Sequence, residues 1–412
     1  MLKFLTAGES HGPAEVAILE GLPAGLTISK EDIQADLDKR KGGYGRGGRG
    51  KIESDEVEIL SGIRLGKTLG SPIALFVKNN DFANWQERMQ AGAPESHLQE
   101  DLLQKRETKP RPGHADLAGA LKYQTDDVRN ILERASARET IMRVAVGAIC
   151  RKFLLEFGIE VASHTIGIGS VHLTLSDLGN LGKLSFFEKI KKVYETDPDI
   201  RCIDELTSEK MKVHIRQTTI KKDTLGGVIE IIAHNVPVGL GSHVHWDRKL
   251  DGRIAQALMS IPSVKGVEIG EAIKASSSYG SEVQDEIFYR YPGSDLKRAK
   301  GLTLDGTYYR KTNRLGGIEG GISNGEDIIC RVYHKPISTL ASPLKTVDIT
   351  TKQPTQALIE RSDVCVIPRA GIISESMLAY ILADALLEKF GGDHIDEAKR
   401  NYQSYKEWIL AH

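Results

Sequence analysis

The chain has 412 residues, 40% of them hydrophobic and 27% charged, with a formal net charge of −1. This composition belongs to a globular chain with ample core material and excludes disordered and fibrous classes. The near-zero charge excludes a globally basic nucleic-acid binder, so any anion site must be a local concentration of positive charge.

Gly8, Glu9, Ser10 and His11 interrupt the apolar start, and no run of about 18 apolar residues follows anywhere, so neither a leader nor a membrane span is expected. Ser29 and Asp32 form a capping-box pattern that opens a helix with Ile33 and Leu37 on one face, ending near Lys41-Gly42-Gly43. Val57-Glu58-Ile59 and Ile73 to Val77 read as strands. Glu139 to Phe157 carries apolar residues at three- and four-residue spacing and stops at Gly158; a second helix is expected from about Asp247 to Ile261. Strands are expected at Val228 to Ala233, Ile328 to Tyr333 and Val364 to Ile367. A third helix, Glu375 to Phe390, is apolar around much of its circumference and is expected at the centre of the fold. Cys150, Cys202, Cys330 and Cys365 form no CxxC pair and are expected free, buried and reduced, which suits the cytoplasm. With no linker and no repeat, residues 1–412 are expected to form one domain, with a polar, irregular excursion at about 170–222.

Lys39 to Lys51 holds six positive side chains, no negative one, and glycines that let backbone approach a bound anion. Forced matches to dinucleotide and nucleoside-triphosphate motifs fail on context, because a helix precedes the run and Ile52 stands where a metal-binding hydroxyl belongs. A solvated charged loop and an RGG-like RNA-binding segment are the competing readings. Gly8-Glu9-Ser10-His11-Gly12 and Arg111-Pro112-Gly113-His114-Ala115-Asp116 each present a histidine, able to move a proton near neutrality, on a glycine turn; Asp116 is placed to cap the following helix. Arg134 to Thr140 precedes a long helix whose N–H groups suit an anion. Gly316 to Gly325 reads as a loop of close backbone approach, and Lys335 to Thr339 and Arg361-Ser362-Asp363 lie at expected strand ends. His243 and His245 raise a metal-dependent hydrolase as a rival reading, against a strand end with Asp247 as helix cap.

Taken together, Gly8 to Gly12, Gly43 to Arg49, Gly113 to Leu117, Arg134 to Thr140, Gly241-Ser242-His243, Trp246 to Asp251, Arg361 to Asp363 and Ala385 to Asp393 resemble the signatures of the chorismate synthases in order and spacing, over nearly the whole chain. The resemblance implies an α+β fold, a β-α-β sandwich with long central helices between antiparallel sheets, assembled as a homotetramer. It implies a shikimate-pathway lyase that eliminates phosphate and the C6 hydrogen from 5-enolpyruvylshikimate 3-phosphate, requiring reduced FMN without net redox change. Reductant would come from NADPH, with Arg40 and Arg46 at its site, or from an external flavin reductase; nucleic acid, membrane and metal have no place in it. Carried over by motif, His11 protonates the departing phosphate, His114 meets the anionic edge of the flavin, and Asp363 assists proton removal near flavin N5. Ser10, Arg40, Arg46, Arg49, Arg138 and Arg361 would hold the anionic substrate. Arg134, Ala135, Ser136, Gln256, Ala257, Gly320, Lys335, Pro336, Ile337, Ser338, Thr339 and Arg361 would contact FMN. The loop of Gly42 to Gly50 is expected to order as substrate closes over flavin. Three positions depart from the family pattern: His245 for the usual Gln, Gly50 for Met, and Arg369 in a turn that is usually Ala-Ala-Gly.

Overall fold

The computed structural model describes residues 2–45, 55–174, 185–289, 308–360 and 363–411. The capping box forms as read: Ser29 Oγ accepts from the Asp32 amide at 3.3 Å and Asp32 Oδ2 accepts from the Ser29 amide at 2.8 Å, opening helix Lys30–Lys41. Ile33 and Leu37 are its fully buried stripe. Helix Thr140–Leu155 lies within the expected range, and Gly158 after it takes φ +75°, the left-handed conformation that ends a helix cheaply only at glycine.

Two antiparallel sheets enclose these helices. One runs in the order Lys3–Ala7, Ala14–Glu20, Ile73–Lys78, Val57–Ile59; the other in the order Val264–Ile269, Ile328–His334, Gly227–His234, Glu160–Ile168, Val171–His172. Helix Thr140–Leu155 packs on the first sheet, on helix Lys30–Lys41 and on helix Ile367–Phe390, which in turn covers strands 160–168 and 227–234 of the second. The layers are therefore sheet, helices, sheet, as expected of an α+β sandwich. Where the two long helices cross, a Cβ at Gly147 would lie 2.2 Å from Ser376 Cβ, so only glycine permits this approach.

Helix Ile367–Phe390 is the described helix long and apolar enough to span a bilayer, yet 94% of its most apolar window is buried inside the fold. Its centre carries Glu375, fully buried. The carboxylate is stabilised by Arg151 Nη1 at 2.7 Å, Ser163 Oγ at 2.7 Å and the Tyr194 hydroxyl at 3.0 Å, which offsets the cost of burying its charge.

The structure corrects three readings. Val364 to Ile367 is not a strand: Cys365 makes only an isolated bridge to Leu225, and the helix starts at Ile367, eight residues before the expected Glu375. Pro368 in the first turn lacks the N–H that a strand would need and a helix start does not. Short apolar runs carry no periodicity that separates the two. Second, the segment read as irregular contains helix Glu205–Ile220, capped by Asp204 on the Thr207 amide at 2.8 Å, with Met211 and Ile215 buried in the main core. Third, strands 160–168 and 264–269 had no counterpart in the sequence reading. The four cysteines are buried, and none of them forms a disulfide.

Candidate active site

A cavity of about 370 Å³ opens where the first turns of both central helices meet three loops. Thr140 reaches it from the start of one helix, with Ala137 and Arg138 from the turn just before it, and Arg369, Ala370 and Ile373 reach it from the other. Two helix N-termini facing one space favour an anion there. Six cationic side chains line it (Arg40, Lys41, Arg111, Arg138, Lys335 and Arg369) against three carboxylates (Asp55, Glu360 and Asp363), so the excess charge is positive.

The Gly8–Gly12 loop joins two strands of the first sheet. Gly8 takes φ +130°, and a Cβ there would fall 2.6 Å from the Ala14 carbonyl oxygen, so the tight return needs glycine. Glu133 pins the loop: its carbonyl accepts from the Ser10 amide at 3.1 Å, and its carboxylate accepts from the His11 amide at 2.8 Å and pairs with His11 Nδ1 at 2.8 Å. Burial pushes the Glu133 carboxyl up, but the His11 hydrogen bond and the Arg129 charge hold it below its ordinary value. With Nδ1–H donated to Glu133, Nε2 is the nitrogen left to exchange a proton with a ligand. The Trp85 ring covers His11 at a centroid distance of 3.8 Å, and the Arg129 guanidinium lies 5.0 Å from the same indole.

His114 is held in the same way. Its Nδ1 is 2.5 Å from Asp116 Oδ1, and Arg111 grips both Asp116 oxygens at 2.9 and 3.1 Å. Burial opposes ionisation of Asp116, but the bonds from His114 and Arg111 carry it far below the usual carboxylate range. Asp116 therefore does not cap the helix Asp116–Tyr123 as expected; it is that helix's first residue and turns back to the loop. Arg111 also donates to Thr339 Oγ1 at 2.9 Å, tying this loop to the Lys335–Thr339 turn.

Of the residues expected to hold substrate, Ser10, Arg40 and Arg138 line the cavity, as does Asp363. Arg40 is heavily engaged: it donates to Thr140 Oγ1 and the Ala137 carbonyl at 3.1 Å and to Asp55 Oδ2 at 3.3 Å. Asp55, which the sequence did not point to, also lies 4.0 Å from Arg138 and so counterbalances both. Asp363 is ion-paired with Arg369, the residue that departs from the family pattern. Arg46, Arg49 and Arg361 lie outside the described residues.

Of the expected cofactor contacts, Ala135, Ser136, Lys335, Ile337, Ser338 and Thr339 line the cavity. Ser136 Oγ accepts from the Arg138 amide at 3.3 Å, and burial together with Lys265 lowers the pKa of Lys335, a cation with no ion-pair partner among the described residues. Pro336 and Gln256 are exposed, Ala257 is buried in the core, Gly320 is exposed, and none of them lines the cavity. Arg134 faces a neighbouring hollow and donates to the Gly8 and Thr6 carbonyls at 3.2 and 3.0 Å. His245 pairs with Asp247 at 2.6 Å on the surface, so Asp247 does not cap the next helix, Leu250–Met259, and among the described residues no group of three His, Cys, Asp or Glu could hold a metal ion. Sequence reasoning missed Trp85, Arg129, Glu133, Asp55 and Glu360. Only folding brings them together: Trp85 and Glu133 against His11, Arg129 on Glu133, Asp55 beside Arg40 and Arg138, and Glu360 beside Arg129 and Arg111.

The sequence profile of the family described as Chorismate synthase matches residues 2–387. The chain is 52% identical over 411 residues to chorismate synthase of Geobacter sulfurreducens, covering 100% of both chains, and 50% identical over 409 residues to that of Aquifex aeolicus, covering 98% of this chain and 97% of the relative. A crystal structure of chorismate synthase superposes with a TM-score of 0.75 at 41% identity, covering 100% of this chain and 99% of that one. Full-length matches of this kind support neither the RNA-binding nor the hydrolase reading; the chain belongs to the chorismate synthase family of lyases.

Proposed function

We propose that this chain converts 5-enolpyruvylshikimate 3-phosphate to chorismate and phosphate with reduced FMN bound in the cavity described above. The observation that carries the reading is the pair of carboxylate-buttressed imidazoles, His11 and His114, on one positively charged cavity between two helix N-termini. The donor set fits a phosphorylated, anionic cofactor: Lys335 has no ion-pair partner among the described residues, Ser338 and Thr339 offer hydroxyls beside it, and His114 offers a ring nitrogen. His114, Ser136, Lys335, Ile337, Ser338 and Thr339 would hold the flavin. When bound, reduced FMN supplies electron density that eases C–O cleavage and takes it back, leaving no net redox change.

The chain's own groups then do the following. Arg138 and the helix N-termini bind the substrate's anionic groups and orient it, and Ser10 donates from the Gly8–Gly12 loop. His11 delivers a proton through Nε2 to the leaving phosphate, while Glu133 stabilises the imidazolium form before transfer. Asp363, held by Arg369, assists departure of the C6 proton. Arg46, Arg49 and Arg361 complete the anion clamp. In the proposed homotetramer, exposed Gln256 and Gly320 meet the cofactor of a neighbouring copy. Reductant comes from NADPH, with Arg40 and Arg46 at its site, or from an external flavin reductase, and the buried thiols suit a cytoplasmic setting.

The test is an anaerobic assay of the purified protein with 5-enolpyruvylshikimate 3-phosphate and chemically reduced FMN. Chorismate and phosphate should form in equal amounts. No chorismate, in a preparation that binds flavin, would overturn the proposal.

A further inference from the structure

The two imidazoles are joined by an unbroken chain of alternating charges. Glu133 Oε1, which pairs with His11 Nδ1, also accepts from Arg129 Nη1 at 2.7 Å. Arg129 Nη2 donates to Glu360 Oε1 at 3.3 Å, and the other Glu360 oxygen lies 3.8 Å from Arg111 Nη1. Arg111 holds Asp116, and Asp116 holds His114. The order is thus imidazole, carboxylate, guanidinium, carboxylate, guanidinium, carboxylate, imidazole. Arg129, Glu133, Arg111 and Asp116 are all buried, and Glu360 is mostly covered. At such separations, away from water, one charge is felt by the next.

Among the described residues Glu360 is the link between the halves in this chain of contacts, and no local feature of the sequence marks it. Besides the Trp85 ring, 5.0 Å from Arg129, and His114 Nδ1, 3.1 Å from Arg111 Nη2, two polar groups face the guanidiniums: Glu107 accepts from Arg129 Nη2 at 3.1 Å, and Thr339 Oγ1 accepts from Arg111 Nη1 at 2.9 Å. Each belongs to one half, whereas Glu360 serves both. It also stands three residues before Asp363.

We propose that Glu360 is a positioning residue that couples His11 to His114, by sharing the two guanidiniums with Glu133 and Asp116. With Glu360 ionised, its charge offsets that of Arg129 through a hydrogen bond and that of Arg111 through an ion pair at 3.8 Å. Remove that charge and both guanidiniums act uncompensated on Glu133 and Asp116, which then attract an imidazolium less strongly. Both imidazoles hold their protons more weakly as a result, although Glu360 touches neither. This inference rests on the proposed roles of His11 and His114 in proton delivery and cofactor binding.

The experiment is NMR titration of the full-length protein carrying ¹³C-labelled histidine, with the two resonances assigned from His11→Ala and His114→Ala spectra. In Glu360→Gln both midpoints should move to lower pH together, kcat should fall about tenfold, and KM should stay within about twofold. Glu360→Asp, which keeps the charge, should recover part of each effect. Should Glu360→Gln not fold, Glu133→Gln provides the second measurement: the His114 midpoint should move although residue 133 contacts only the His11 half. Movement of one imidazole alone in Glu360→Gln, or an unmoved His114 in Glu133→Gln, would overturn the coupling. The titrations need no turnover, so a protein that shows coupling but makes no chorismate would defeat the proposed activity and not this inference.

Discussion

His11 and His114, the proposed catalytic histidines, show how little of such a group's chemistry resides in the residue itself. Each ring has one nitrogen fixed by a carboxylate that an arginine holds in place, so tautomer and orientation are set before any ligand arrives. His11→Ala and His114→Ala remove a ring without removing the Glu133–Arg129 or Asp116–Arg111 pair, so both variants should fold, His11→Ala binding flavin as the native protein does and His114→Ala, which loses one flavin contact, more weakly. Each should lose turnover by about 10²- to 10⁴-fold. The checks are circular dichroism, flavin titration and anaerobic turnover on the same samples, and full activity in both variants would remove the assignment. Motif alone pointed to both histidines; Glu133 was invisible, because it stands 122 residues from His11 with nothing local to mark it.

At the scale of elements, the crossing of helices 140–155 and 367–390 decides where the cavity lies, because their first turns form its walls. The crossing depends on Gly147, where any side chain would meet Ser376 backbone and Cβ atoms at 2.5 and 2.2 Å. Gly147→Ala gains about 1 kcal/mol of helix propensity, but forcing the helices apart costs about 1–3 kcal/mol or more. The net expectation is a lower urea midpoint, with turnover reduced further than stability alone explains. An unchanged midpoint would show that the helices repack without cost. Helix 30–41 was legible to the residue because its capping box and glycine end are local signals. The start of helix 367–390 was not, since its first eight residues lack polar spacing and only packing on both sides selects a helix there.

For the whole molecule, stability should carry the mark of buried carboxyls. Glu15 occupies a core-facing position of strand Ala14–Glu20, and burial pushes its pKa up to about 7 despite the opposing charges of Arg138 and Arg134. A raised carboxyl contributes stability that is full below its ordinary value of 4.5 and lost as pH rises through about 7. Glu15→Gln keeps the shape and removes the titration. It should match the native protein near pH 4.5 and exceed it at pH 8 by on the order of 2 kcal/mol. Denaturant midpoints of the two proteins across this range test the sign, and a constant difference at all pH values would count against it. Glu326, raised by burial to about 7, bends the native curve in the same direction and is common to both proteins.

By itself the sequence determined the family, the helix with its capping box, the central apolar helix and the two histidines on glycine turns, because each is written in a contiguous pattern or in short motifs whose order is fixed. Only the tertiary structure decided which carboxylate holds which ring, that Arg40 is engaged by Asp55 and Thr140, that Arg369 pairs with Asp363, and that Gln256, Ala257 and Gly320 stand away from this chain's own cavity. His11 and Glu133 stand 122 residues apart, Arg40 and Thr140 100, and Arg129 and Glu360 231. No local periodicity encodes such distances; they follow from how buried helices and sheets close on one another, and a charge buried by that closure takes whichever partner the packing brings within reach.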